Sequence, residues 1–177
     1  MSSPLIKTNT VAEVNSLLQK EDSVYPQKID FSKESSIYLN HTCLRIKDPQ
    51  RSIDFYTNTL NFKLISTKKF PQWKFDLYFL SLNHSLEEKD IFNTNGILEI
   101  THNYGSEYDP NYEVNNGNDE SKGRGFGHIC LTVFDIKKVQ EDLLAKGVSF
   151  KKRLEDGKQK DICFIYDPDH YWIELVC

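Results

Sequence analysis

Two short stretches of this chain repeat the same side chains suited to metal or proton chemistry. Asn40-His41-Thr42-Cys43-Leu44-Arg45-Ile46-Lys47-Asp48 recurs as Gly127-His128-Ile129-Cys130-Leu131-Thr132-Val133-Phe134-Asp135, with His, Cys, Leu and Asp in register. Each is answered further along by an apolar run holding one carboxylate: Gly96-Ile97-Leu98-Glu99-Ile100 and Tyr171-Trp172-Ile173-Glu174-Leu175. Side chains alternate along a strand, so His41, Cys43 and Arg45 share a face, and His128 and Cys130 share another. Glu99 and Glu174 then point the same way as the histidines, among neighbours that make an unpaired carboxylate expensive to desolvate. Taken singly, a strand His is more often a packed core residue, and a strand Glu half of an ion pair. The same His and Glu at equivalent places in a repeat reverse that weighting. Two imidazoles and two carboxylates neutralise a divalent ion and leave six-coordinate room for two waters or a substrate. That set suits Zn, Ni, Co or Mn better than Cu(I), which prefers sulfur.

The elements that must position these groups also repeat. Asp48-Pro49 opens a segment with Ile53, Tyr56 and Leu60 at helical spacing, Asp serving as N-cap and Pro as first helical residue. Asp135 opens a second with Ile136, Val139 and Leu143, closed by Gly147 as a C-cap. Strand-like runs follow, Phe62–Ile65 and Leu77–Leu80 in the first half and Cys163–Tyr166 in the second, before each half ends on its Glu-bearing strand. The fold class expected is α+β: two tandem, paired βαβββ modules, about 37–103 and 125–177, within one domain over 36–177. The first half is longer, and its extra length falls in a polar loop around Asn83 to Thr94. A second polar loop, Tyr104 to Lys122, joins the modules. It reads either as a cover for a ligand or as a solvated linker. Residues 1–35 form an N-terminal arm with a short helix, capped by Thr10 and Glu13 and using Val11, Val14 and Leu18.

Composition narrows the partners. With 22 basic and 26 acidic residues the net charge is -4, which argues against a nucleic-acid binder needing a basic face. A small anionic ligand held by a few cations remains compatible. No apolar run is long enough to cross a membrane, and Met-Ser-Ser-Pro-Leu-Ile-Lys lacks the form of a secretory signal. Cys43, Cys130, Cys163 and Cys177 show neither CxxC spacing nor a disulfide framework, so reduced thiols and a cytoplasmic location are expected.

Several segments together resemble the glyoxalase I (lactoylglutathione lyase) family of the vicinal-oxygen-chelate superfamily, whose fold is the paired βαβββ module. They are Leu44–Pro49, Asp54-Phe55-Tyr56-Thr57, Leu98-Glu99-Ile100-Thr101-His102-Asn103, Arg124–Ile129 and Asp167-Pro168-Asp169-His170-Tyr171-Trp172-Ile173-Glu174. The resemblance covers about Leu39 to Val176. It implies that His41, Glu99, His128 and Glu174 hold one divalent metal, zinc ahead of nickel or cobalt. It implies a homodimer with sites at the interface, and glutathione as co-substrate. The reaction implied is isomerisation of the methylglyoxal–glutathione hemithioacetal to S-D-lactoylglutathione through an enediolate, with Glu174 as principal base and Glu99 its counterpart. Arg45, on the ligand-bearing face, is a candidate for a glutathione carboxylate by periodicity. Resemblance adds Asn103, Arg124, Lys152 and Lys158, where the residues alone read the lysines as a solvated basic turn. Phe70, Leu77, Phe79 and Phe164 are candidates for an apolar pocket or for ordinary core.

Three departures stand out: His170 where relatives commonly have Gly, Gln159 where many have an apolar residue, and an end at Cys177 soon after Glu174. His tolerates a positive φ better than most residues, so the turn at His170 is expected to survive. Cys43 and Cys130 are expected as buried thiols near the metal. Competing readings are an acyl-CoA epimerase, an extradiol dioxygenase, which needs only two His and one carboxylate around Fe(II), and a metal-free small-molecule-binding module.

Overall fold

The computed structural model describes residues 37–177; the N-terminal arm and its capping box at Thr10 and Glu13 lie outside the described residues. Residues Asn40–Cys177 form one compact unit. The expected tandem of βαβββ modules is what folds. The first module runs β1 (His41–Ile46), α1 (Pro49–Asp54, continuing as a π-helical turn over Phe55–Thr59), β2 (Lys63–Phe70), β3 (Phe75–Ser81) and β4 (Ile97–Asn103). The second runs β5 (His128–Thr132), α2 (Ile136–Ala145), β6 (Phe150–Lys152), β7 (Ile162–Tyr166) and β8 (Trp172–Val176). Each makes a four-stranded sheet of the same order, β1-β4-β3-β2 and β5-β8-β7-β6. Within each sheet the first strand of the module pairs in parallel with the last.

Both helices begin as their sequences dictate. Asp48 accepts from the backbone N–H groups of Gln50 and Arg51 with Pro49 at the first turn, and Asp135 accepts from that of Lys138. Helix α2 ends in a Schellman motif: Val148 N–H reaches Leu143 C=O at 3.0 Å, Gly147 N–H reaches Leu144 C=O at 3.0 Å, and Gly147 has φ 75°.

The helix-bearing faces of both sheets share one core. Leu44, Ile46, Tyr56, Leu98 and Ile100 of the first module pack in one cluster with Leu143, Cys163, Ile165, Ile173 and Leu175 of the second. Alternation therefore leaves the opposite face of each sheet, with its His and Glu, turned away from that core. The loop over Asn83 to Thr94 is less polar in effect than it reads. Leu86 and Ile91 are buried and pack with Phe79 and Ile97 in a second, smaller cluster on that face of the first sheet.

A turn of the second module clamps the first. Between β7 and β8, Asp167 accepts from Tyr56 Oη at 2.9 Å, and Asp169 accepts from Arg51 at 2.5 Å and from Ser52 Oγ at 3.2 Å. His170 closes that turn at φ 64°, so the departure from Gly is accommodated as expected.

Candidate metal centre

The parallel pairing of first and last strands creates each His–Glu pair. In register, Cys43 lies opposite Glu99 and Cys130 opposite Glu174, so each Glu stands diagonally beside the His two residues earlier. His41 Nε2 is 3.6 Å from Glu99 Oε2, and His128 Nε2 is 3.2 Å from Glu174 Oε2. All four side chains keep a route to solvent, the glutamates less than the histidines. Among the described residues no three His, Cys, Asp or Glu side chains come together to hold a metal. The chain thus presents two half-sets on two open faces, and a single copy does not bring the four candidate ligands to one point.

Hydrogen bonds around His41 determine which ring nitrogen carries its proton. Asn40 Nδ2 donates to Ile91 C=O at 2.8 Å and to Thr94 C=O at 2.6 Å. Carbonyl oxygens can only accept, so the amide nitrogen must face them and Asn40 Oδ1 must face the imidazole. His41 Nδ1, 2.7 Å from that oxygen, is then the donor, and in the neutral ring Nε2 keeps its lone pair. A nitrogen lone pair and a carboxylate oxygen facing one another at 3.6 Å repel unless a cation lies between them. The donor set therefore fits a divalent metal.

Cys43 and Cys130 are exposed in the single chain rather than buried. Cys43 is hydrogen-bonded to Thr101 Oγ1 at 3.2 Å. Desolvation and then the neighbouring Glu174 push the Cys130 thiol up; desolvation likewise raises Cys43, against the opposing Thr101 hydrogen bond. Neither is a ready thiolate.

The expected anion-binding residues fall into separate groups. Arg45 donates to Asn103 Oδ1 at 2.8 Å on the open face of the first sheet, so these two form one unit. Arg124 is exposed and paired with Glu120. Lys158 is exposed on the turn after β6. Lys152 gives its ammonium to the carbonyls of Arg153, Gln159 and Ile162, at 3.3, 2.7 and 2.8 Å, which uses all three of its protons.

Sequence reasoning passed over Lys151. A register shift between Phe150 and Lys152 re-aims the two lysines, and Lys151 Nζ lies over the Trp172 ring at 5.1 Å. It borders a shallow depression with Tyr166, His170, Trp172 and, from the inter-module loop, Asn116 and Asn118. A bulge of this kind leaves no mark in a strand three residues long. Asn40 was legible only as a polar neighbour of His41.

The candidate apolar residues are likewise dispersed. Phe79 is buried beneath His41, edge-on at 6.4 Å, and Leu77 packs in the same cluster. Phe164 lies edge-on to His128 at 5.3 Å on the other sheet. Phe70 is at the tip of the β2–β3 hairpin, stacked on Phe75 and Trp73.

Residues 38–175 match the family model of the Glyoxalase/Bleomycin resistance protein/Dioxygenase superfamily. The chain is 42% identical to the lactoylglutathione lyase of Pseudomonas putida over 78% of its own length and 83% of that protein's. It belongs to the glyoxalase I family of that superfamily. It is also 49% identical to glyoxalase I of Saccharomyces cerevisiae over 90% of this chain. The chain spans about half the length of the yeast relatives it matches, 51% in that case and 48% for the lactoylglutathione lyase of Schizosaccharomyces pombe. The trypanothione-dependent glyoxalase I of Leishmania major has the same fold. It superposes with a TM-score of 0.62 at 30% identity over 79% of this chain and 86% of that one.

Proposed function

We propose that this chain is a lactoylglutathione lyase, isomerising the methylglyoxal–glutathione hemithioacetal to S-D-lactoylglutathione at a site completed by two copies of the chain. The observation that carries the reading is the pair of half-sets, His41 with Glu99 and His128 with Glu174, presented on open sheet faces by a family member. Each half-set supplies one nitrogen and one carboxylate, so two halves from different copies make the two-imidazole, two-carboxylate set that neutralises a divalent ion. Zinc, nickel or cobalt are the candidates, and such an ion, when bound, supplies Lewis acidity toward the oxygens of the substrate.

The chain's own residues do the rest. Glu174 removes the proton from the hemithioacetal carbon and delivers it to the adjacent carbon, while Glu99 occupies the equivalent place across the site. Phe79 and Phe164, each edge-on to its histidine, shield those groups from water on the sheet side. Arg45 and Asn103 offer a joined guanidinium and amide to a glutathione carboxylate. Lys152 is a poorer candidate for that task than its position in the motif implies, because its ammonium already serves three carbonyls. For the whole protein the location proposed is the cytoplasm; among the described residues no helix is long and apolar enough to cross a membrane.

The test is to strip the protein with chelator, restore Zn, Ni, Co or Mn singly, and follow isomerisation of the hemithioacetal. Activity that disappears on stripping and returns with one or more metals supports the reading. Metal binding with no turnover moves the substrate to another superfamily reaction, and no metal binding removes the basis of the four-ligand site.

A further inference from the structure

We infer that Asn40 is a positioning residue that sets the tautomer of His41 and ties the Asn83 to Thr94 loop to this half of the site. The inference rests on the reading of His41 as a metal ligand. Every hydrogen-bonding group of Asn40 that bears on the site is committed. Its backbone C=O accepts from Ile97 N–H at 3.1 Å, extending the β1–β4 pairing one residue beyond His41. Its Nδ2 spends both protons on the carbonyls of Ile91 and Thr94, and its Oδ1 is left for His41 Nδ1. Those carbonyls belong to the loop whose Leu86 and Ile91 are buried against Phe79 and Ile97. Turning the amide over would oppose Oδ1 to two carbonyl oxygens and Nδ2 to the imidazole, losing both loop bonds. The orientation is therefore held by packing that lies outside the metal site.

The second half has no such device. The residue before His128 is Gly127, with no side chain, and among the described residues His128 Nδ1 has no protein partner. His128 Nε2 lies 3.2 Å from Glu174 Oε2 as a close contact, and among the described residues no hydrogen bond fixes which of its ring nitrogens carries the proton. The repeat is symmetric in its ligands and asymmetric in their preparation. The His41 half is set to donate a lone pair before a metal arrives, and among the described residues nothing presets the tautomer of His128.

The experiment is long-range proton–nitrogen correlation NMR on the metal-free protein, labelled with 15N-histidine, followed by competitive titration with zinc. Wild type is expected to show His41 as a single Nδ1–H tautomer and His128 as a mixture of tautomers. Asn40→Ala should return His41 to a mixture of tautomers and weaken zinc binding by about 10–100-fold. Asn40→Asp keeps the acceptor for His41 but cannot donate to Ile91 and Thr94. It should preserve the tautomer while amide exchange in 83–94 accelerates. An Nε2–H tautomer at His41 in wild type would overturn the inference. So would Asn40→Ala with tautomer and zinc affinity unchanged. If Asn40→Ala fails to fold, the wild-type tautomer and the Asn40→Asp exchange pattern decide. A wild type with the expected tautomer but no zinc binding would overturn the functional reading and, with it, the role of Asn40 toward a metal.

Discussion

At Glu174 a carboxylate stands 3.2 Å from an imidazole and beside a thiol whose ionisation it opposes. If Glu174 is the base proposed, replacing its carboxylate by an amide removes that function while keeping the side chain's shape. Glu174→Gln should therefore lower kcat for hemithioacetal isomerisation by about 10²–10⁴-fold while leaving circular dichroism and the unfolding midpoint near wild type. Retained kcat would move the base elsewhere, Glu99 being the next candidate. The four candidate ligands were legible because a repeat displays each one twice in the same local pattern. Asn40 was not, since its role depends on carbonyls at Ile91 and Thr94 that only the folded loop brings to it. The fold turns the Lys152 ammonium toward three carbonyls, a direction that a motif position does not tell.

The elements divide along the same line between local and distant causes. Caps at Asp48, Asp135 and Gly147 were readable because each acts on backbone within a few residues. The clamp between the β7–β8 turn and α1 was not, since it joins Asp167 to Tyr56 and Asp169 to Arg51 across most of the chain. Burial pushes the Asp167 carboxyl up to about 7, even though it accepts from Tyr56 Oη and from the backbone of Asp169 and Tyr171. The ordinary value is 3.8, so between these limits the folded chain holds a proton that the unfolded chain has released. Stability from this group is therefore greatest at low pH and falls as pH rises toward 7. Asp169 is raised by burial in the same direction. Glu107, Glu113 and Asp119 are held below their ordinary values, and their opposite effect appears only at more acid pH. Urea unfolding of wild type and Asp167→Asn between about pH 5 and 8 isolates the group. Wild type should gain stability relative to the variant as pH falls; parallel profiles would show that Asp167 does not titrate in this window.

At the scale of the described unit, one shared core explains why the two candidate His–Glu pairs lie on separate sheet faces. The helix faces of both sheets are consumed by the cluster around Ile100 and Ile173, which turns the His–Glu faces away from that core. The fold class and the paired modules followed from periodicity and repetition. How the two His–Glu faces would be completed did not, because the sequence of one chain carries no sign of which copy would supply a second half. The most direct measurement mixes two inactive variants, Glu99→Gln and Glu174→Gln, after subunit exchange by unfolding and refolding together. If each site takes one half from each of two chains, a mixed dimer has one site carrying both substitutions and one carrying neither. Random mixing should then restore about a quarter of wild-type isomerase activity from parents that have almost none. No recovery, with refolded wild type fully active, would contradict a site shared between two copies of the chain.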